Sequence, residues 1–181
     1  SGEKCAFVLK LNSSGNDLLY STFLAEHGSE GYGIAVDSNG DIYVTGSATN
    51  YEGANFPTTS GAYDESHNGD GDVFVVKLSP DGNDTNDLLY STVIGGGNGG
   101  PWSANDKGCD IALYNGDIFV TGTSSSTDFP TTTGAYDTSH NGFIDVFVAQ
   151  ISPDGNGSSD LVYSSYLGGS DWDSAVGIAI D

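Results

Sequence analysis

Hydrophobic and polar positions alternate along Asp72 to Leu78, with Val73, Val75 and Lys77 on one side and Phe74, Val76 and Leu78 on the other. A period of two predicts a strand, and apolar residues on both sides predict that both faces are buried. Leu88 to Ile94 reads as a second strand. Gly33-Ile34-Ala35-Val36-Asp37 is a third, small enough to pack tightly, and Asp41 to Gly46 a fourth. Asn39-Gly40 separates the last two and predicts a type I′ hairpin turn, which needs positive φ at both central residues. Asn115-Gly116 stands in the same place before Asp117-Ile118-Phe119-Val120. No stretch of ten residues carries a 3.6-residue apolar period, so almost no helix is expected.

The pattern recurs. Tyr20-Ser21-Thr22-Phe23-Leu24 returns as Tyr90-Ser91-Thr92-Val93-Ile94 and Tyr163-Ser164-Ser165-Tyr166-Leu167, at offsets of 70 and 73 residues. Phe56-Pro57-Thr58-Thr59 returns as Phe129-Pro130-Thr131-Thr132, and Ser79-Pro80-Asp81-Gly82 as Ser152-Pro153-Asp154-Gly155. One unit is therefore about 70 residues and holds four short strands, A to D from the inside outward. Tandem four-stranded antiparallel units predict an all-β fold made of β-propeller blades. A single sheet cannot bury both of its faces, whereas radial stacking covers each with a neighbour. Gly33-Ile34-Ala35, Cys109-Asp110-Ile111-Ala112 and Gly177-Ile178-Ala179 suit the crowded innermost strand. A β-solenoid would need shorter coils, and a two-sheet sandwich would not repeat so regularly.

At these residues the sequence resembles a known family. Gly-Ile-Ala-Val-Asp-x-x-Gly-x-Ile-Tyr-Val-Thr-Gly, Asp-Phe-Pro-Thr-Thr-x-Gly-Ala-Tyr, Asp-x-Phe-Val-x-Lys-Leu-Ser-Pro-Asp-Gly and Leu-x-Tyr-Ser-Thr-Tyr-Leu-Gly-Gly look like the SBBP-type (seven-bladed) β-propeller repeat. Cys109 and Asp110 interrupt the second Gly-Ile-Ala-Val pattern, and Gln150 replaces the lysine at Lys77. The resemblance implies secreted or cell-surface proteins of microbes, often large and multidomain. It implies no catalytic residues.

The expected arrangement is one propeller segment over 1–181: a partial blade over 1–24, whose C-D pair lies in 5–24, full blades over 31–94 and 108–167, and the A strand of a further blade over 175–181. That is about 2.75 blades, short of the 4–8 a ring needs. End blades would expose strand faces and edges, a liability in water. The chain is thus expected either to belong to a longer propeller or to self-associate, with the C-D pair of one copy joining the A strand of the next. Two copies would then give a ring of about six blades, and an open head-to-tail series would give a fibre.

Composition narrows the partners. Against 25 acidic residues stand 4 lysines and no arginine, a net charge of −21. Nucleic acid is excluded as a partner, because phosphate contacts need Lys and Arg; anionic lipid is disfavoured for the same reason. No apolar run approaches the ~20 residues of a membrane-spanning helix, so no membrane insertion is expected. The sequence begins at Ser1 and contains no Met, as a processed or excerpted chain would. Twenty of the 25 acids are Asp, a turn former, consistent with many turns or with a surface adapted to salt and divalent cations.

Candidate chemistry falls in the loops. His67 and His140 occupy equivalent Tyr-Asp-x-Ser-His-Asn-Gly segments. Asp64, Ser66 and His67 suggest a triad only superficially, because a triad is defined by geometry and because this set occurs in both repeats. A loop-fixing role is expected. Asn68, Asp70 and Asp72 alternate oxygen ligands as hard cations favour, which makes calcium the candidate metal there, but the closing Glu of a calcium loop is missing and the second repeat lacks the middle Asp, so the alternative is a plain turn leading into strand C. Sequons at Asn12, Asn83 and Asn156 all fall in the C-to-D turn and are candidate glycosylation sites. Trp102 and Trp172, in the D-to-A connections, are candidates for stacking on glycans. Cys5 and Cys109 sit two blades apart, too far to bridge, and are expected to be free and buried. No cofactor other than calcium is expected. The function expected is a non-enzymatic, extracellular or cell-surface structural or adhesive module; the alternative is a carbohydrate-binding or glycan-hydrolysing propeller.

Overall fold

A computed structural model of the chain describes residues 4–50, 55–80, 87–99 and 104–181. Among the described residues, ten strands form three antiparallel sheets. β1 (Phe7–Leu11) pairs with β2 (Leu18–Phe23). β3 (Ser29–Val36), β4 (Ile42–Thr49), β5 (Gly71–Leu78) and β6 (Leu88–Ile94) form the second sheet in that order, and β7 (Asp106–Tyr114), β8 (Asp117–Ser124), β9 (Asp145–Ile151) and β10 (Leu161–Leu167) the third. These are a C-D pair and two A-B-C-D blades. The described residues contain no α-helix; one turn of 3-10 helix, Gly157–Asp160, precedes β10.

The alternation along β5 sends its side chains into two different cores. Val73 and Val75 join Tyr43, Tyr90 and Ile94 against Ile111, Ile118, Val120, Phe147, Ala149 and Ile151 of the following blade. Phe74, Val76 and Leu78 join Ile42 and Val44 against Ala6, Val8, Tyr20 and Leu24 of the preceding C-D pair. Each core therefore lies between sheets, and β3–β6 is covered on both faces. The two A strands run so close that a Cβ on Gly33 would sit 2.9 Å from Asp110 Cα. At the outer edge, Tyr90 Oη donates to Asp160 Oδ2 of the next blade at 3.1 Å, and the Gly157 N–H donates to Gly61 O at 2.7 Å. Burial pushes the Tyr90 phenol well above its usual pKa.

Three local expectations are corrected. Asn115 and Gly116 both have positive φ, 53° and 93°, as a type I′ turn requires, but at Asn39-Gly40 only Gly40 does, at 88°. There Asp37 Oδ1 accepts from the Asn39 and Asp41 N–H groups at 2.8 and 3.0 Å, which holds a three-residue loop with glycine at its last position. The Cys109 interruption is a register shift between Gly108 and Asp110, matched by the one between Gly31 and Gly33 that accommodates Tyr32. It therefore belongs to the repeat.

Residues 175–181 form no strand. In both full blades the A strand's neighbour within the sheet is the B strand. The segment nevertheless lies against β7, its Ile178 N–H donating to Asp110 Oδ2 at 2.9 Å. The same strand order bears on assembly: B lies between A and C, so a C-D pair joined only to an A strand would lack its middle strand.

Candidate functional site: blade junctions and open faces

The repeated His loop is built around a buried aspartate. Asp72 is fully buried at the start of β5, and its Oδ2 accepts from the Asn68 N–H at 2.8 Å and from His67 Nδ1 at 3.1 Å. Asp64 Oδ1 accepts from the Ser66 N–H, and Asp64 Oδ2 from Asn68 Nδ2 at 2.7 Å. The second repeat copies this with Asp145, Asn141, Asp137 and Ser139. His140 departs from the copy, placing Nε2 3.3 Å from Ser124 O and its ring edge-on to Tyr166. In both loops the carboxylates accept backbone N–H groups and so hold the loop's shape.

The expected calcium set is not brought together as a loop site. Asn68 donates to Asp64, Asp70 is exposed, and Asp72 points inward. Among the described residues no three His, Cys, Asp or Glu side chains are grouped to hold a metal.

Inward of the loop, Asp72 meets the next blade. Asp106, fully buried at the start of β7, accepts from the Gly96 N–H and from Ser126 Oγ, both at 2.8 Å, through Oδ2. Gly95 lies between the two acids: a Cβ there would be 2.1 Å from Asp72 Oδ1 and 3.0 Å from Asp106 Oδ2. Burial pushes the Asp106 carboxyl up to about 6. Hydrogen bonds from Ser124, Gly96 and Ser126 oppose that shift, and the nearby Asp72 charge adds to it. Asp72 Oδ1 and Asp106 Oδ1 are both buried without a hydrogen-bond partner among the described residues.

Strand register identifies the equivalents at the other two junctions. After β9–β10 stand Asp145, Gly168 and Asp173, with Asp173 Oδ2 accepting from the Gly169 N–H at 2.7 Å and Asp145 Oδ1 again buried and without a partner. After β1–β2 stand Cys5, Ala25 and Ser29. There Ser29 Oγ accepts from the Ala6 N–H at 3.0 Å, and Cys5 Sγ donates to Glu26 O at 2.8 Å.

The two ends of the stack present apolar faces. On β1–β2, Phe7 is 59% exposed and Phe23 72%, the rings meeting edge to face at 6.5 Å, with Leu9 and Leu11 exposed beside them. Their register equivalents on β5–β6, Phe74, Val93, Val76 and Leu78, are buried. On the other end, Val146 and Val148 are half-buried and Leu167 is exposed, where Val73, Val75 and Ile94 are fully buried.

The remaining predicted sites are dispersed. Asn12 is half-buried, its side chain bonded to Asn16 within the β1–β2 turn; Asn156 is exposed in the β9–β10 turn. Asn83 and Trp102 lie outside the described residues. Trp172 is 66% exposed and stacks on Phe143, ring centres 6.2 Å apart. Its bridge to Ile144 corresponds to the Gly71–Asn105 bridge, so it occupies the place of Asn105. Both cysteines are free but half-buried, less buried than expected. Gln150 keeps the contact of the lysine it replaces: Lys77 Nζ lies 3.3 Å from Asp41 Oδ2, and Gln150 Nε2 donates to the equivalent Asp117 Oδ2 at 2.7 Å. Reading the residues missed Asp106 and Gly95. The available signal was that Asp-Gly-Asp in one unit stands where another has Cys-Ala-Ser.

The family model described as the SBBP beta-propeller repeat matches residues 26–53, the stretch that contains β3 and β4. It supports the resemblance drawn from the motifs. No curated protein matches the chain.

Proposed function

Taking the chain as one built on the SBBP-type β-propeller repeat, we propose that it is a non-enzymatic structural module of the extracellular space or cell surface, associating with further copies through its end faces. The observation that carries this is the β1–β2 face. Positions that receive a neighbouring sheet in the next blade are here apolar and open, and exposed apolar faces of this kind mark interaction surfaces. The occupant we assign is the β7–β10 face of a second copy, because that face carries Val146, Val148 and Leu167 where β3–β6 offers Val73, Val75 and Ile94. A contact between two different faces of the same chain is heterologous, so it propagates into a series unless the rotation closes. A net charge of −21 opposes close packing of copies, so association should strengthen with salt.

Native mass spectrometry and light scattering across a concentration series test this. Oligomers that grow with concentration and salt, and that are lost in Phe7→Asp and Phe23→Asp, are expected. A chain that stays monomeric at all concentrations would exclude self-association.

A further inference from the structure

We propose that the junction between the two full blades is a cation site, in which the buried carboxylates of Asp72 and Asp106, on either side of Gly95, hold one hard cation of the calcium class between β5 and β7. The site differs from the Asn68, Asp70, Asp72 loop that the sequence suggests, because Asp72 commits Oδ2 to that loop and leaves Oδ1 for the neighbouring blade.

The Asp72 and Asp106 side chains are at least 99% buried, and the Oδ1 of each lacks a hydrogen-bond partner among the described residues. Burying an ionised carboxylate is costly unless it is paired or coordinates a metal. Among the described residues, the groups facing the pair do not supply that charge. From β6 and the loop after it come Gly95 and the Gly96 N–H, and from β8 and the loop after it come Ser124, Ser126 and Asp128. From β10 comes Tyr166, a neutral phenol whose pKa is raised by burial and by the Asp106 charge. The basic group in contact is His67, whose Nδ1 is already engaged with Asp72 Oδ2.

Hard cations take carboxylate oxygens, with backbone carbonyls and water completing the shell. The repeats vary as this requires. Where Asp becomes Cys5 and Ser29, the intervening glycine becomes Ala25; where acids stand at 145 and 173, glycine returns at 168. Gly95 gives the Asp72 carboxylate its room, since a Cβ there would lie 2.1 Å from Asp72 Oδ1, so the glycine goes with the buried acids that make the site.

Calcium titration of the intact chain at pH 7.5 by calorimetry, with thermal unfolding in calcium or in chelator, tests the site. Binding with a dissociation constant in the submillimolar to millimolar range is expected, and a Tm rise of about 5–10 °C at a hundredfold excess. Asp106→Asn and Asp72→Asn should each weaken binding at least tenfold, and Asp70→Asn should leave it unchanged. No heat up to several millimolar calcium would overturn the proposal, and needs no variant to fold. So would binding that is lost in Asp70→Asn but kept in Asp106→Asn, which would return the ion to the loop. A chain indifferent to calcium but stabilised on acidification through Asp106 would assign a shared proton instead, and would overturn it too.

Discussion

The first junction, Cys5–Ala25–Ser29, and the second, Asp72–Gly95–Asp106, join the same two surfaces of the repeat with opposite chemistry. At the first, a hydroxyl and a thiol each find a backbone partner, and the junction closes without charge. At the second, two carboxylates are buried together, and each has an oxygen left without a partner among the described residues. The apolar layers beside them are alike, Ala6, Val8 and Leu24 in one and Val73, Val75 and Ile94 in the other. Blade stacking therefore does not require the acids. Natural sequence tends to place such a costly feature where it has a use, and the cation site proposed above gives it one.

The comparison can be broken at the intervening residue. Gly95→Ala is expected to cost about 1–3 kcal/mol, because its Cβ would lie 2.1 Å from Asp72 Oδ1 in a packed interior. Carried together, Asp72→Cys, Gly95→Ala and Asp106→Ser rebuild the first junction and should recover most of that loss. Urea unfolding of the single and triple variants measures both; equal destabilisation in the two would show that the junctions are not interchangeable.

A smaller effect follows from pH. Burial pushes the folded Asp106 carboxyl up to about 6 from its usual 3.8, so the folded state holds this proton more tightly than the unfolded one. Its stabilising contribution is complete below pH 3.8 and is lost as pH rises through 6. In chelator, stability should therefore fall between pH 4 and 7, and Asp106→Asn should flatten that slope. Bound calcium should flatten it as well. An unchanged slope in the variant would place the titrating group elsewhere.

The smallest effect is expected at the first junction. Ala25→Gly opens no contact to a carboxylate there and should cost about 0.5–1 kcal/mol, from backbone entropy alone. A loss several times larger, read by the same unfolding curves, would mean that Ala25 fills space the other junctions leave open.

Much of this was legible along the chain. The alternation of Val73, Val75 against Phe74, Val76, Leu78 and the recurrence of Tyr-Ser-Thr assign strands, sheets and the faces they bury, because a period of two allows only one partition of side chains. Turn chemistry was less secure: the same Asn-Gly pair closes a two-residue loop at 115–116, but at 39–40 an aspartate at position 37 draws the backbone into a longer one. The 68–72 segment carries more than its residue types show. Alternate oxygens along 68–72 look like a cradle, yet the chain uses Asp72 as an anchor for its own N–H groups.

By itself, then, the sequence determined that this chain makes four-stranded units and that each unit must lean on another, since local periodicity and repetition are properties of neighbouring residues. Only the tertiary structure decided which residues meet. Asp72 and Asp106 are separated by most of a strand pair in the chain and come to opposite sides of Gly95 because one blade's third strand faces the next blade's first. Phe7 and Phe74 are equivalent in sequence, but one is open and the other covered. Burial depends on what lies across the gap, and no run of residues records that.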